Sequence, residues 1–454
     1  MFARMVFMPP IFDSIIMLLI ILIVARFIKR RSIILQRLFI PSSLVAGAIG
    51  LILGPQILAT LPVEITDYWA IFPKNLINIV FAGLFLGKHI PSIREIWRMA
   101  GPMVAFGNTL AWGQYVVGSA LAIFILTPFF GANPLVGALI EISFEGGHGT
   151  AAGLAPTFEK LGWAEGTDIA LGIATLSIIT AIASGVILIN LYNRKQGNRL
   201  GKDEFEQQRL DMIRSGYDLV SLSRKLDTNP KAILINIVAF LVSIGLGWVL
   251  LQGLILLEDL VLRPFTDLRF FIYVPLFPLA MIGGLLVQLF LKSINRQKLI
   301  KRRTTGIIST FALDLLIASA IATVSLNVIG NNFFVFLILS IAGMVWILGA
   351  FIFLAPRMFP SNWFENGITN MGQSMGMTAT GLLLNRLIDP ANKVRARESF
   401  AYKQLLFEPF MGGGLITATS VVIIYEFGLL FALITSCIVT VFWLLLGLFL
   451  GRKK

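Results

Sequence analysis

Two stretches of the chain set carboxylates, hydroxyls and glycines in an order that could handle ions. One holds Glu141, Ser143 and the run Glu145-Gly146-Gly147-His148-Gly149-Thr150; the other holds Asn370, Gln373, Ser374, Gly376, Thr378, Ala379 and Thr380. Both lie in segments apolar enough to enter a bilayer, where backbone that leaves the helix is tolerated only if it lines a polar cavity or is buried in protein. Half-helix N-termini then offer N–H donors and a positive dipole end to a carboxylate. Freed carbonyls and the hydroxyls of Thr150, Ser374, Thr378 and Thr380 are the hard oxygen ligands that suit sodium. Glu145 and Glu141 at that depth read as ion ligand, proton carrier or partner to His148, with Glu141 also able to face a water-filled vestibule. His148 reads either as a ring fixed by nearby carbonyls or as a direct substrate contact. Asp314, isolated in a later apolar span, is a weaker candidate for sodium. Asn78 and Asn108 read more simply as interhelical hydrogen bonds.

The elements that must hold these residues follow from composition. Of 454 residues, 57% are hydrophobic and 13% charged, about half the roughly 25% charge of soluble domains. Apolar runs near the ~20 residues that cross a bilayer recur throughout. They predict an all-α polytopic membrane protein, with spans near 11 to 28, 40 to 55, 71 to 88, 103 to 127, 168 to 192, 232 to 255, 272 to 291, 306 to 326, 333 to 356, 409 to 428 and 430 to 449. The first run lacks a small-residue cleavage pattern and reads as a retained span. The formal charge of +13 sits between spans, so it points away from nucleic acid. Basic clusters follow alternate spans: Arg26 to Arg37, Lys88 to Arg98, Arg194 to Lys231, Lys292 to Arg303, Arg386 to Lys403, and Arg452 to Lys454. By the positive-inside rule these clusters are cytoplasmic, which puts the N-terminus outside and the C-terminus inside. Cys437, the single cysteine, excludes a disulfide framework and a thiolate metal site.

The chain also repeats itself. At an offset of 228, Thr150-Ala-Ala-Gly-Leu154 matches Thr378-Ala-Thr-Gly-Leu382 at four of five positions. Five spans per half make the second half inverted. The expected division is a first repeat over 1–194, a cytoplasmic connector over 195–230, a second repeat over 231–429 and an additional C-terminal span over 430–454. From Pro134 to the glycines is about a dozen residues, roughly 18 Å of helix, which reaches the membrane centre without crossing it. Re-entrant hairpins are therefore expected near 134–160 and 362–388, entering from opposite sides with their tips together.

The run Glu145-Gly-Gly-His-Gly-Thr-Ala-Ala-Gly153, with Phe158-Glu-Lys-Leu-Gly162 after it, resembles the signature of the bacterial sodium/glutamate symporter family. Asn370-Met-Gly-Gln-Ser-Met-Gly-Met-Thr-Ala-Thr-Gly381 and Glu408-Pro-Phe-Met-Gly-Gly-Gly414 are similar to its second hairpin and closing span. The resemblance covers residues from about 40 to 430. It implies sodium-coupled symport of L-glutamate or a related anionic amino acid, with Na+ as coupling ion and no other cofactor. It also implies a homodimer in the bacterial inner membrane, whose hairpins ride in a mobile transport domain against a scaffold. Gly146, Gly147, His148, Gly149, Thr150, Gly376, Thr378 and Ala379 are the positions the resemblance brings to the site.

Other classes compete with that reading. A carrier of another organic anion, coupled to sodium or protons, uses the same parts. An intramembrane hydrolase would pair His148 with Ser143 or Thr150, but the repeat puts Gly376 where a second histidine would stand. A channel would line a symmetric axis, which two inverted hairpins do not build.

Overall fold

The computed structural model describes residues 10–37, 39–195, 230–262, 266, 269–390 and 392–452. The proposed connector falls almost wholly on 196–229, outside the described residues, as do the first nine residues and the last two lysines. The described residues are helical and contain no strand. In chain order the main helices are α1 (Pro10–Arg31), α2 (Ser42–Leu53), α3 (Val63–Ala82), α4 (Ile93–Leu121, continuing helically to Phe130), α5 (Leu139–Phe144), α6 (Gly147–Gly153) and α7 (Glu165–Lys195). The second half holds α8 (Pro230–Leu257), α9 (Leu276–Ser293), α10 (Arg302–Ala322), α11 (Phe333–Phe353), α12 (Trp363–Ile388), α13 (Ala396–Phe407) and α14 (Leu415–Gly451). Among the described residues, eight helical stretches are long and apolar enough to cross a membrane, and the chain is a multi-pass membrane protein.

Contacts between helix ends define two layers. At the acidic one, Asn332 donates to Glu165 (3.3 Å), the Ser325 N–H donates to Asp168 (2.9 Å), and Gln56 donates to the Val324 carbonyl (2.7 Å). At the basic one, Arg302 donates to the carbonyls of Gly83, Leu84 and Leu86, and Lys292 donates to that of Ile90 (2.7 Å). The segment from 131 to 164 leaves and returns to the acidic layer, because Phe130 packs on Phe334 (ring centroids 6.0 Å apart) while Glu165 bonds the neighbouring Asn332.

Helix α12 is two arms folded back on each other. Gly376 and Met377 leave helical geometry. Across the break, Asn385 donates to Thr369 (2.8 Å), and a Cβ on Gly372 would lie 2.9 Å from the Gly381 Cα. Contacts that pair 369 with 385 and 372 with 381 require antiparallel arms with the turn at 376–377.

Three expected spans differ. The span placed at 40 to 55 is a helix of 12 residues, Ser42–Leu53, about 18 Å long and too short to cross alone. The span placed at 71 to 88 is Val63–Ala82, shifted because Glu64, Asp67 and Lys74 dilute its apolar signal. The span placed at 409 to 428 is a longer broken rod: α13 leads inward from the basic layer, the chain turns at 408–414, and the first part of α14 runs on to the acidic layer, where Tyr425 meets Tyr273 (5.8 Å). Gly428, at φ +84°, then breaks α14, and its second part returns to Arg357 at the basic layer, beside Gly451.

The buried apolar residues divide. A large core surrounds the two broken segments and includes Phe106, Phe144, Leu384, Phe400 and Phe407. A second gathers Leu18, Leu22, Trp69 and Ala318 from α1, α3 and α10, and a third joins Phe240, Ala280 and Ala82 from α8, α9 and α3. Close backbone approach joins the third: a Cβ on Gly284 would lie 2.3 Å from the Ala82 carbonyl oxygen, so only glycine lets the helices touch there.

Candidate functional site

The site forms where the two broken segments meet. Gly147, at φ +66°, turns the chain between α5 and α6, a conformation that glycine adopts at no steric cost, and a Cβ there would lie 3.8 Å from that of Met377 at the other tip. Ser374 Oγ donates to Glu145 Oε1 at 2.6 Å, joining the tips with a charge-assisted hydrogen bond. Glu145 is 3% exposed, and its second oxygen, Oε2, has no hydrogen-bond partner. Gln114 on α4 donates to the Ser374 carbonyl (3.1 Å), while its own Oε1 is likewise unpartnered.

The break between α13 and α14 presses against the first tip. Gly412 N–H donates to Glu141 (3.0 Å), and Gly413, at φ +100°, lies so close to Thr150 that a Cβ would come 2.4 Å from its hydroxyl oxygen. Lys403 on α13 is fully buried; its Nζ donates to Gln373 Oε1 at 2.6 Å and stands 3.4 Å from the Phe407 ring centroid. The charge pattern placed Lys403 in a cytoplasmic cluster. The structure corrects this, because α13 inserts its Phe400, Lys403 and Phe407 face into the core. Gln404, one residue on, donates to Thr378 (2.8 Å) and Glu408 (3.0 Å).

Above the tips lies a cavity of about 770 Å³. Its floor includes Glu145, Gly146, Gly149, Gln373, Thr378 and Ala379; its wall includes Ser309, Thr310 and Asp314; its rim includes Lys88, Arg302 and Glu408. Lys88 pairs with Glu408 (3.5 Å), and Asp314 pairs with Arg26 (3.2 Å). The rim belongs to the basic layer. Among the described residues no group of three or more His, Cys, Asp or Glu could hold a metal ion, whereas the oxygens at the tips are single carboxylates, amides and hydroxyls. That donor set suits a weakly held monovalent cation.

A family model described as sodium/glutamate symporter matches residues 10–385, a stretch that includes both tips. The chain belongs to the sodium/glutamate symporter family. No curated protein matches it. The family is one of transporters, and the match ends before α13, so Lys403, Gln404 and Glu408 lie beyond the matched residues.

Within the chain the expected residues sort by distance from the tips. Glu145, Gly146, Gly147, Gly149, Gln373, Ser374, Gly376, Thr378 and Ala379 stand at the junction or on the cavity floor. Thr150 donates to the Gly146 carbonyl (3.0 Å) and Thr380 donates to that of Gly376, so both hydroxyls stay on their own arms. Asn370 lies beside Lys403, with its Oδ1 unpartnered.

His148 turns away from the cavity. Its Nε2 lies 2.9 Å from Thr175 Oγ1, and Thr175 spends its only proton on the Leu171 carbonyl (2.9 Å), so Nε2 is the donor. Ser143 Oγ has no hydrogen-bond partner and makes no bond to His148, which removes the hydrolase pairing. Glu141 does not face a vestibule. It is wholly buried and accepts from Tyr115 (2.6 Å), Thr417 (2.8 Å) and Gly412 N–H, tying tip one to the broken rod. Asn78 and Asn108 bond carbonyls of their own helices, at Lys74 (3.1 Å) and Val104 (2.9 Å), and not neighbouring spans.

Residue patterning passed over Lys403, Gln404, Gln114, Lys88 and Arg302. The glycines at 412 to 414, just after Glu408-Pro409, were the available signal of a third break.

Proposed function

We propose that the chain carries glutamate into a bacterial cell with sodium, by alternating access at the pocket where the two tips meet. The observation that carries this reading is the 2.6 Å bond from Ser374 to Glu145 at the closed end of the cavity. It puts an unfilled carboxylate oxygen, amide oxygens and hydroxyls beside a chamber large enough for an amino acid. Arg302 and Lys88 on the rim supply cations for an anion's approach. Arg302 uses one guanidinium nitrogen on three carbonyls, and its planar fork suits a carboxylate.

The inverted-repeat reading gains support from the route of the chain: one broken segment leaves and re-enters the acidic layer, the other folds back from the basic layer. With the basic layer cytoplasmic, the cavity opens inward, the N-terminus is outside and the C-terminus inside. The two smaller cores group α1, α2, α3, α8, α9 and α10 as a scaffold, against which the body holding the tips slides like an elevator. The scaffold's lipid- and partner-facing surface, with Leu241, Trp248 and Val249 exposed on α8, is where a homodimer would form.

One sodium per glutamate only cancels the substrate's charge. Each further ion gains about 2.3 kcal/mol at roughly 100 mV, so concentrative uptake uses more than one. The test is uptake of labelled glutamate by proteoliposomes under an imposed sodium gradient, with proton and potassium gradients as alternatives. Sodium should drive accumulation; uptake indifferent to sodium removes the proposal, and competition by aspartate, dicarboxylates and glutamine ranks the substrates.

A further inference from the structure

Lys403 puts an ammonium among groups otherwise arranged to receive a cation. It is 0% exposed. Around it stand acceptors that lack donors. Glu145 Oε2 and Asn370 Oδ1 are both buried and unpartnered. A single point above Gly107 lies 2.8 Å from Lys403 Nζ and 3.1 Å from Asn370 Oδ1, so the ammonium and that orphan oxygen are neighbours. Consecutive residues of the second tip bridge the charges: Gln373 accepts from Lys403 (2.6 Å), and Ser374 donates to Glu145 (2.6 Å). The Phe407 ring, with its negative face 3.4 Å from Nζ, completes a cage that favours any cation.

An uncompensated carboxylate inside a membrane protein draws in a cation or a proton. Here the chain brings its own. We propose that Lys403 is a tethered cation that stands in for one coupling sodium, so that the pocket binds one sodium fewer than its oxygen atoms would otherwise hold. Without the ammonium, Gln373 Oε1, Asn370 Oδ1 and Glu145 Oε2 become an oxygen-rich site with a net negative charge, the donor set that hard cations take. This rests on the reading of the pocket as sodium-coupled.

The experiment counts sodium in two ways on the full chain. Equilibrium binding of radioactive sodium to purified protein needs no turnover; the ratio of sodium to glutamate taken up by proteoliposomes needs it. Lys403→Gln should bind one additional sodium per protomer and raise the uptake ratio by one, Glu145→Gln should lower both, and the double variant should return to the wild-type count. Lys403→Arg keeps the charge and should keep that count, which separates charge from packing. A Lys403→Gln protein with a wild-type melting profile and a wild-type sodium count overturns the proposal. That result leaves the symport reading standing, whereas wild-type protein without sodium-driven uptake ends both.

Discussion

The Ser374–Glu145 bond makes the tips interdependent at the scale of single residues. A hydrogen bond to a charged group contributes about 1.5–3 kcal/mol. Ser374→Ala should therefore weaken apparent sodium affinity roughly tenfold or more, at about 1.4 kcal/mol per decade, read from the sodium dependence of uptake. An unchanged sodium curve would place the ion elsewhere. Met377 adds a different kind of evidence, because its φ of 68° and ψ of 170° belong to a region that is almost glycine-only, at a cost of about 1–3 kcal/mol. Met377→Gly should raise the melting temperature measured by scanning fluorimetry while slowing uptake, since the side chain faces Gly147. A lower melting temperature would mean the packing of Met377 outweighs its strain.

Breaks matter more than spans at the scale of elements. Hydropathy found the long rods because a helix in lipid must be apolar over its length. The same rule hid α13, whose Arg397, Glu398 and Lys403 read as a surface cluster although one face is buried. It also placed the ends of α3 poorly, and it read α2 as a full crossing. The two breaks were legible from glycine spacing, but Lys403 was not, because its partners come from three different elements. The third break now carries its own prediction. Gly413 holds φ +100°, and a Cβ there would lie 2.3 Å from Phe81. Gly413→Ala should lower the melting temperature and abolish uptake, and a variant that transports normally would detach the 408–414 turn from the mechanism.

The cavity gives the whole molecule a direction. It opens at the basic layer, where Lys88, Arg302 and Glu408 line it. A cysteine at Gly306, which lines the cavity and where a Cβ would meet open space, in a Cys437→Ser background should react with an impermeant maleimide from the cytoplasmic face and be protected by sodium with glutamate. Labelling from the outer face alone would reverse the assigned orientation. The most direct test of the account concerns the meeting of the tips. With a Cβ at Gly147 lying 3.8 Å from that of Met377, within the 3.5–4.5 Å or so of a disulfide, Gly147→Cys/Met377→Cys should cross-link under mild oxidant. The linked protein should lose sodium-driven glutamate uptake and recover it on reduction. A pair that fails to link, or a linked protein that transports at the unlinked rate, would contradict the account.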